Sequence, residues 1–475
     1  MAARKLLAVG LAASLAGCNL APTYAPPTIA TPTTYKELGP WTPAVPADTT
    51  SRGDWWGIFS DQTLDGLEQQ IEHGNPDLAV ALARYDEARA LAAQARAALV
   101  PEVDANAYTT TNRQSEHLPL RVGGPNYYYD NLVGATVSYE FDLWGRVHNL
   151  VTAGKAEAQA TGADAASVRL SLQAELAEDY FNLRGLDAQA KLLADTSADY
   201  EHAFKLTKVQ HDVGSVSGLD VGRAETQLQT ARAQQSDVDA QRALYEHAIA
   251  SLVGEPASTF SIAPDANLTE PPHAPVATPS VLLQRRPDIA AAERRAYAAN
   301  ARIGVARAAY YPTISLDASG GLETNNGSVN ILNLANSWWT LGPQAALVLF
   351  DGGKRKAEVA QARAQFQEAS QSYRSTVLAA FQQVEDNLAL CNKLADEAER
   401  QSLAVDAARR TETLSMIQYR TGSVTYLDVV TAQTADLDAQ RAALGVATRR
   451  LEATVDLVRA LGGGWSEART SASRG

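Results

Sequence analysis

Proline is missing from two long stretches of this chain, residues 126–255 and everything after Pro343. Proline lacks a backbone N–H and clashes with the preceding helical turn, so its absence marks where long helices can run. Both stretches are rich in Ala, Leu, Gln, Glu and Arg, all strong helix formers. They predict helices over 146–210 and 219–253, and again over 354–419 and 427–461. A helix of about 65 residues is about 100 Å long at 1.5 Å per residue. Ordinary globular helices are several-fold shorter, so such lengths point to coiled coils or other extended assemblies. Shorter helices are expected over 64–73, 78–99 and 289–309.

The two stretches follow one plan. Asn75-Pro76-Asp77-Leu78 matches Arg286-Pro287-Asp288-Ile289 at an offset of 211, as Pro101 matches Pro312. Phe141-Asp142 and Arg146 match Phe350-Asp351 and Arg355 at 209. Gly214-Ser215-Val216 and Leu219-Asp220-Val221 match Gly422-Ser423-Val424 and Leu427-Asp428-Val429 at 208. Leu252 and Gly254 match Leu461 and Gly463 at 209. The order is kept and the drift is small, which indicates an internal duplication of units far too long for a solenoid.

Between short and long helices the period changes from 3.6 to two. Val133, Ala135, Val137, Tyr139 and Phe141 alternate with polar residues or glycine, and Ile314, Leu316 and Ala318 do the same. Leu341, Ala345, Leu347 and Leu349 form a third such run, and 103–111 a weaker one. Alternation gives a strand one apolar and one polar face. Each copy thus supplies two strands joined by a polar loop, at 112–130 and 323–337. Two soluble hairpins packed on helices would show the same pattern. No segment after the first offers the eighteen apolar residues of a membrane helix, so any crossing must be a closed β-barrel. Four strands cannot close one, since about eight is the smallest number. Membrane insertion would therefore need two, three or four copies.

The N-terminus names a compartment. Arg4 and Lys5 precede an apolar run at 6–16, which suits a secretory signal, and Leu15-Ala16-Gly17-Cys18 looks like a lipobox with Cys18 as the acylated residue. Asn19, rather than aspartate, favours delivery to the outer membrane. Cys391 is then the one other thiol, placed in a stripe of Val377, Phe381, Val384, Leu388, Cys391 and Ala395, where it reads as a small buried hydrophobe. A net charge of -13 argues against nucleic acid as a partner. The seven histidines show no metal-ligand spacing, and no catalytic cysteine, nucleophile elbow or phosphate loop is present. Neither enzyme chemistry nor a cofactor is expected. Gly462-Gly463-Gly464 reads as a helix C-cap.

The plan resembles the outer-membrane factor family of TolC-like efflux proteins, in its NodT-type lipoprotein branch, from about Trp55 to Trp465. The most specific stretch is Ser280 to Ile289, with Ala292-Glu293, Ile303-Gly304, Ala306 and Pro312 after it. Trp55-Trp56, Phe59, Asp61 and Leu64 resemble the family's entry motif. Thr278-Pro279 stands where Leu-Pro is usual. The resemblance implies a mainly α protein with a β-barrel portion: a homotrimer whose four strands per chain close a twelve-stranded transmembrane barrel, continued by a periplasmic tunnel of helical hairpins. It also implies a signal peptide at 1–17, a lipidated linker at 18–53, efflux repeats at 54–255 and 280–465 joined by a linker at 256–279, and a tail at 466–475. The implied function is passive conduction of substrates expelled by an inner-membrane pump, of the resistance-nodulation-division type, through a periplasmic adaptor. A periplasmic coiled-coil scaffold and a type I secretion duct are the alternatives.

By position in the motif, Tyr419 matches the family's aperture tyrosine, Asp220 its carboxylate partner in the first repeat, and Asp428 the outer aspartate. Thr431 occupies the place of the inner aspartate and Val424 that of an arginine in the family prototype. The resemblance therefore implies a Tyr419–Asp220 hydrogen bond and one acidic ring, with no arginine bridge. Asp220 and Asp428 would equally serve as caps of the helices that follow them. The turn residues Gly214, Ser215, Ser217 and Gly218, with Gly422, Ser423 and Thr425, are the expected adaptor contacts.

Overall fold

Both proline-free stretches are helical in the computed structural model, which describes residues 19–38, 54–117, 126–272, 285–325 and 331–463. A short 3-10 turn at Trp55–Phe59 leads into α1 (Gln62–Gly74) and α2 (Pro76–Ala97). Strands β1 (Glu102–Arg113) and β2 (Tyr127–Glu140) follow, then α3 (Arg146–Asp212) and α4 (Gly218–Val253). The second copy repeats the order with α5 (Pro287–Ala308), β3 (Thr313–Thr324), β4 (Ser337–Ala346), α6 (Lys354–Arg420) and α7 (Tyr426–Ala460). Helices α3 and α6 have 67 residues each, and α4 and α7 have 36 and 35, so the duplication holds at the level of whole elements. Cys18 and residues 280–284 lie outside the described residues.

The chain divides into two compact units. One comprises residues 19–28, 85–161 and 291–373 within the described parts, and its sheet has the order β1-β2-β3-β4, antiparallel throughout. The registers Val103↔Val137, Val137↔Ala318 and Ala318↔Leu341 carry the apolar alternation across all four strands. The opposite face carries Glu102, Asp104, Asp130, Glu140, Asp317 and Glu323 and no Lys or Arg. Glu140 is paired with Arg146 at 2.6 Å. Strand β4 ends sooner than its alternation suggests. Its last pair is Thr313↔Ala346, and Pro312, which has no N–H to offer, precedes Thr313, so Leu347 and Leu349 lie beyond the ladder and exposed. In the same unit the segment after Cys18 is seated on α5. Asn300 donates to the Pro22 carbonyl (2.8 Å), Arg307 to that of Leu20 (3.1 Å), and the Tyr24 hydroxyl to Glu293 (2.7 Å).

The second unit comprises residues 29–38, 54–84, 162–272, 285–290 and 374–463 within the described parts. Here the entry motif becomes a small core. Trp55, Trp56 and Phe59 are buried, and Phe59 lies 4.8 Å from Phe181, ring to ring. Asp61 caps α1 through the amides of Thr63 and Leu64 and accepts the Tyr180 hydroxyl at 2.6 Å. The repeat symmetry extends to single hydrogen bonds. Asn75 donates to the Leu252 carbonyl at the end of α4 (2.7 Å), and its counterpart Arg286 donates to the Ala460 carbonyl at the end of α7 (3.0 Å). In α6 the buried seam runs Val377, Ala380, Val384, Leu388 and Leu394. Phe381 and Cys391 are half-buried and Ala395 is exposed, because a 3.6-residue helix rotates slowly out of a strict seven-residue stripe. Burial pushes the Cys391 thiol up to about 11, which keeps it an unreactive packing group.

Candidate functional site

Each long helical hairpin reverses at a turn of identical construction. Helix α3 closes with Gly214 N–H on the His211 carbonyl and Ser215 N–H on the Gln210 carbonyl, both at 2.8 Å. Helix α6 closes with Gly422 N–H on Tyr419 and Ser423 N–H on Gln418, both at 2.9 Å. These paired bonds form a Schellman cap, which requires a left-handed residue, and Gly214 (φ 77°) and Gly422 (φ 75°) supply it.

The helices that leave these turns are capped from their third position. Asp428 accepts both the amide (2.9 Å) and the hydroxyl (2.7 Å) of Thr425, which together hold its carboxyl below the usual range. Asp220 accepts the Ser217 hydroxyl at 2.9 Å and lies 3.4 Å from Arg223, while its own amide donates to the Ser217 hydroxyl. Gly218, beside Ser217, opens α4. Thr431 is exposed, with its hydroxyl returned to the Leu427 carbonyl at 2.9 Å.

The implied Tyr419–Asp220 hydrogen bond is corrected by this geometry. The Tyr419 hydroxyl reaches Gln210 Oε1 instead, at 3.5 Å, a long and therefore weak bond. The reason is positional: Asp220 is committed to its own helix cap, whereas Gln210 sits on the last turn of α3. Asp220 still acts at a distance, because burial first and the Asp220 charge second push the Tyr419 phenol up. Tyr419 packs on Tyr426 at 5.3 Å, and Ala224, Tyr426 and Val429 form the apolar core where the two hairpins meet. Sequence spacing contained no signal for Gln210, which becomes Tyr419's partner only once two remote hairpins are side by side.

This architecture of duplicated helical hairpins and a four-stranded sheet has relatives. A family model described as "Outer membrane efflux protein" matches residues 67–255 and 278–463. The chain belongs to this family. The pyoverdine export outer membrane protein OpmQ of Pseudomonas aeruginosa is 30% identical over 482 residues, covering 100% of both chains. The probable outer membrane lipoprotein SilC of Salmonella typhimurium is 28% identical, covering 98% of this chain and 99% of its own. Among solved structures, the outer-membrane channel OprN superposes with a TM-score of 0.86 at 29% identity, covering 94% of this chain and 100% of that one. This family member is an outer-membrane efflux channel with the TolC-like fold, and its task is transport and not catalysis. Among the described residues no helix is long and apolar enough to cross a membrane, and no His, Cys, Asp and Glu cluster could hold a metal ion.

Proposed function

We propose that three copies of this efflux channel close a twelve-stranded barrel and form the outer-membrane duct of a tripartite pump. The observation that carries this reading is the sheet. Strands β1 and β4 each have one neighbour within the chain, and the four strands share one apolar face. In lipid an open edge leaves backbone groups unsatisfied, so β4 of one copy must meet β1 of the next. Acylation at Cys18 would add a second hold on outer-membrane lipid. The adaptor would dock on the turns at Gly214, Ser215, Ser217 and Gly218 and at Gly422, Ser423 and Thr425. An inner-membrane pump of the resistance-nodulation-division type would supply the energy, since conduction through the duct is passive. The relative OpmQ is named for pyoverdine export; in this chain the pump selects the cargo and the duct reads little beyond charge.

The periplasmic aperture would be drawn closed where the two hairpin turns meet, with Tyr419 in the seam, Asp428 on the rim and Thr431 one turn further in. A weak Tyr419–Gln210 bond contributes about 0.5 kcal/mol. Three of them bias the closed state by about 1.5 kcal/mol, or about tenfold in the open-to-closed ratio. Tyr419→Phe and Gln210→Ala should each raise single-channel open probability or conductance, while native mass spectrometry still finds three chains per particle. Asp220→Ala, which removes a cap, should lower stability more than it changes conductance. Unchanged conductance in both seam variants would remove the latch, and any other copy number would remove the barrel.

A further inference from the structure

Behind the Tyr419 seam lies a groove of about 660 Å³, the size of a pocket for a drug-like molecule. Its walls are helices α3, α6 and α7. At one end converge Asp199 of α3, Glu412 of α6 and Gln433 of α7. Gln433 is only 7% exposed, and its amide oxygen has no hydrogen-bond partner. Behind it, one carboxylate oxygen of Asp436 is likewise buried without a partner. The Asp199 and Glu412 carboxylates line this end of the groove, and the buried Gln433 and Asp436 oxygens behind them add to its negative character. A buried acceptor without a donor is costly, so this end of the groove favours a ligand that brings N–H groups or positive charge. Burial and the charges of Asp436 and Asp199 hold the Glu412 carboxyl above its usual range, against the hydrogen bond from Gln433.

The body of the groove is different. Met416, Tyr419 and Tyr426 line it, giving a thioether and two aromatic faces of the kind that hold flat apolar groups and cations. His202 lies at the acidic end beside Asp199. Arg420 also lines the groove, but eight residues beyond Glu412 on α6, about 12 Å away along the helix. The charge is thus divided, with carboxylates at the inner end and the guanidinium at the turn end.

We propose that this groove binds a lipophilic organic cation, an aromatic body against Met416, Tyr419 and Tyr426 with its charge toward Asp199, Glu412 and the Gln433 carbonyl. The site goes beyond conduction: it is an equilibrium binding site on the hairpin pair, and it does not require that the channel be open.

Ethidium serves as the probe, because it combines a permanent positive charge with a flat apolar body and brightens when removed from water. Full-length protein extracted in detergent should show saturable brightening with one site per chain. Glu412→Gln and Gln433→Leu should each weaken binding at least tenfold. Met416→Lys, which sets a positive charge in the body of the groove and leaves every carboxylate in place, should abolish it. The anionic dye 8-anilinonaphthalene-1-sulfonate should not share these effects. Circular-dichroism melting checks that each variant is folded, and any one folded variant decides the matter. Ethidium that binds without saturation, or binds Met416→Lys or Glu412→Gln as it binds the parent, would overturn the proposal by placing the dye on acidic surfaces elsewhere.

Discussion

Replacing Glu68 with glutamine should stabilise the channel markedly at pH 8 and leave it nearly unchanged at acidic pH. Glu68 lies on α1 among Leu64, Leu67 and Ile71, is 0% exposed, and neither carboxylate oxygen has a partner. Desolvation first, then the Glu72 and Asp65 charges, push its carboxyl from 4.5 up to about 9. The folded protein therefore holds a proton there that the unfolded chain releases. Below about 4.5 both states are protonated and the group costs nothing through ionisation. As pH rises toward 9 the unfolded state gains its charge while the folded state cannot, so stability falls across that window and levels off above it. At pH 8 the difference is on the order of 4 kcal/mol per chain. Glutamine keeps the shape and the neutral polar head and has no proton to lose. Denaturant midpoints measured from pH 5 to pH 9 should fall for both proteins, because burial also holds Glu178 up to about 7 and Asp179 up to about 6, but the fall should be clearly shallower for Glu68→Gln. Parallel pH profiles would show that Glu68 ionises freely in the fold.

Gly254→Ala should have the opposite effect and be the most damaging single methyl addition in the hairpin scaffold. Gly254 ends α4 with φ of 80°, closing a Schellman cap through its own amide to Ser251 and the Glu255 amide to Ala250. A Cβ there would stand 2.0 Å from the carbonyl oxygen of Gly74, and a Cβ on Gly74 would stand 2.1 Å from the carbonyl oxygen of Val253. Two helix ends meet backbone to backbone, with no flexible side chain to yield. Left-handed strain of about 1 kcal/mol adds to the cost of prising the ends apart, for a total on the order of 4 kcal/mol or more. Gly214→Ala and Gly422→Ala form the control. They share the left-handed backbone, with nothing within 4 Å of the added methyl, and should cost only about 1 kcal/mol each. Folded yield from outer-membrane fractions and denaturant midpoints should separate the two classes. Equal losses at Gly254 and Gly214 would show that conformation alone, and not the close approach, sets the cost.

The helices were legible because proline and glycine punctuate them: no long-helix boundary differs from its expected position by more than two residues. The sheet was legible because a period of two leaves one choice of face. The run of three glycines after α7 was harder. Sequence matching paired Gly254 with Gly463, whereas the cap hydrogen bonds make Gly462 the equivalent, since its amide bonds to Arg459 as that of Gly254 bonds to Ser251. Glu68 left a trace, a carboxylate on the apolar side of α1 at helical spacing from Leu64 and Ile71. Gln210 opposite Tyr419, and the convergence of Asp199, Glu412 and Gln433, left none. Gln210 lies 209 residues from Tyr419 and Asp199 lies more than 200 from Glu412 and Gln433, so these groups meet only because the duplicated hairpins pack together. The seat of residues 19–24 on α5 was likewise silent, because an irregular segment has no period to read.

The central claim is that this chain builds a pore through the outer membrane, and a planar bilayer tests it most directly. The sheet's polar face holds Glu102, Asp104, Asp130, Asp317 and Glu323 without a neighbouring Lys or Arg on that face, and only Glu140 is neutralised, by Arg146. With that face inward, a ring of such carboxylates raises the local cation concentration and repels anions. Under a tenfold KCl gradient the purified protein should insert discrete conductance steps whose reversal potential has the sign of potassium selectivity. Protein that inserts no steps, or steps with chloride selectivity, would contradict the account.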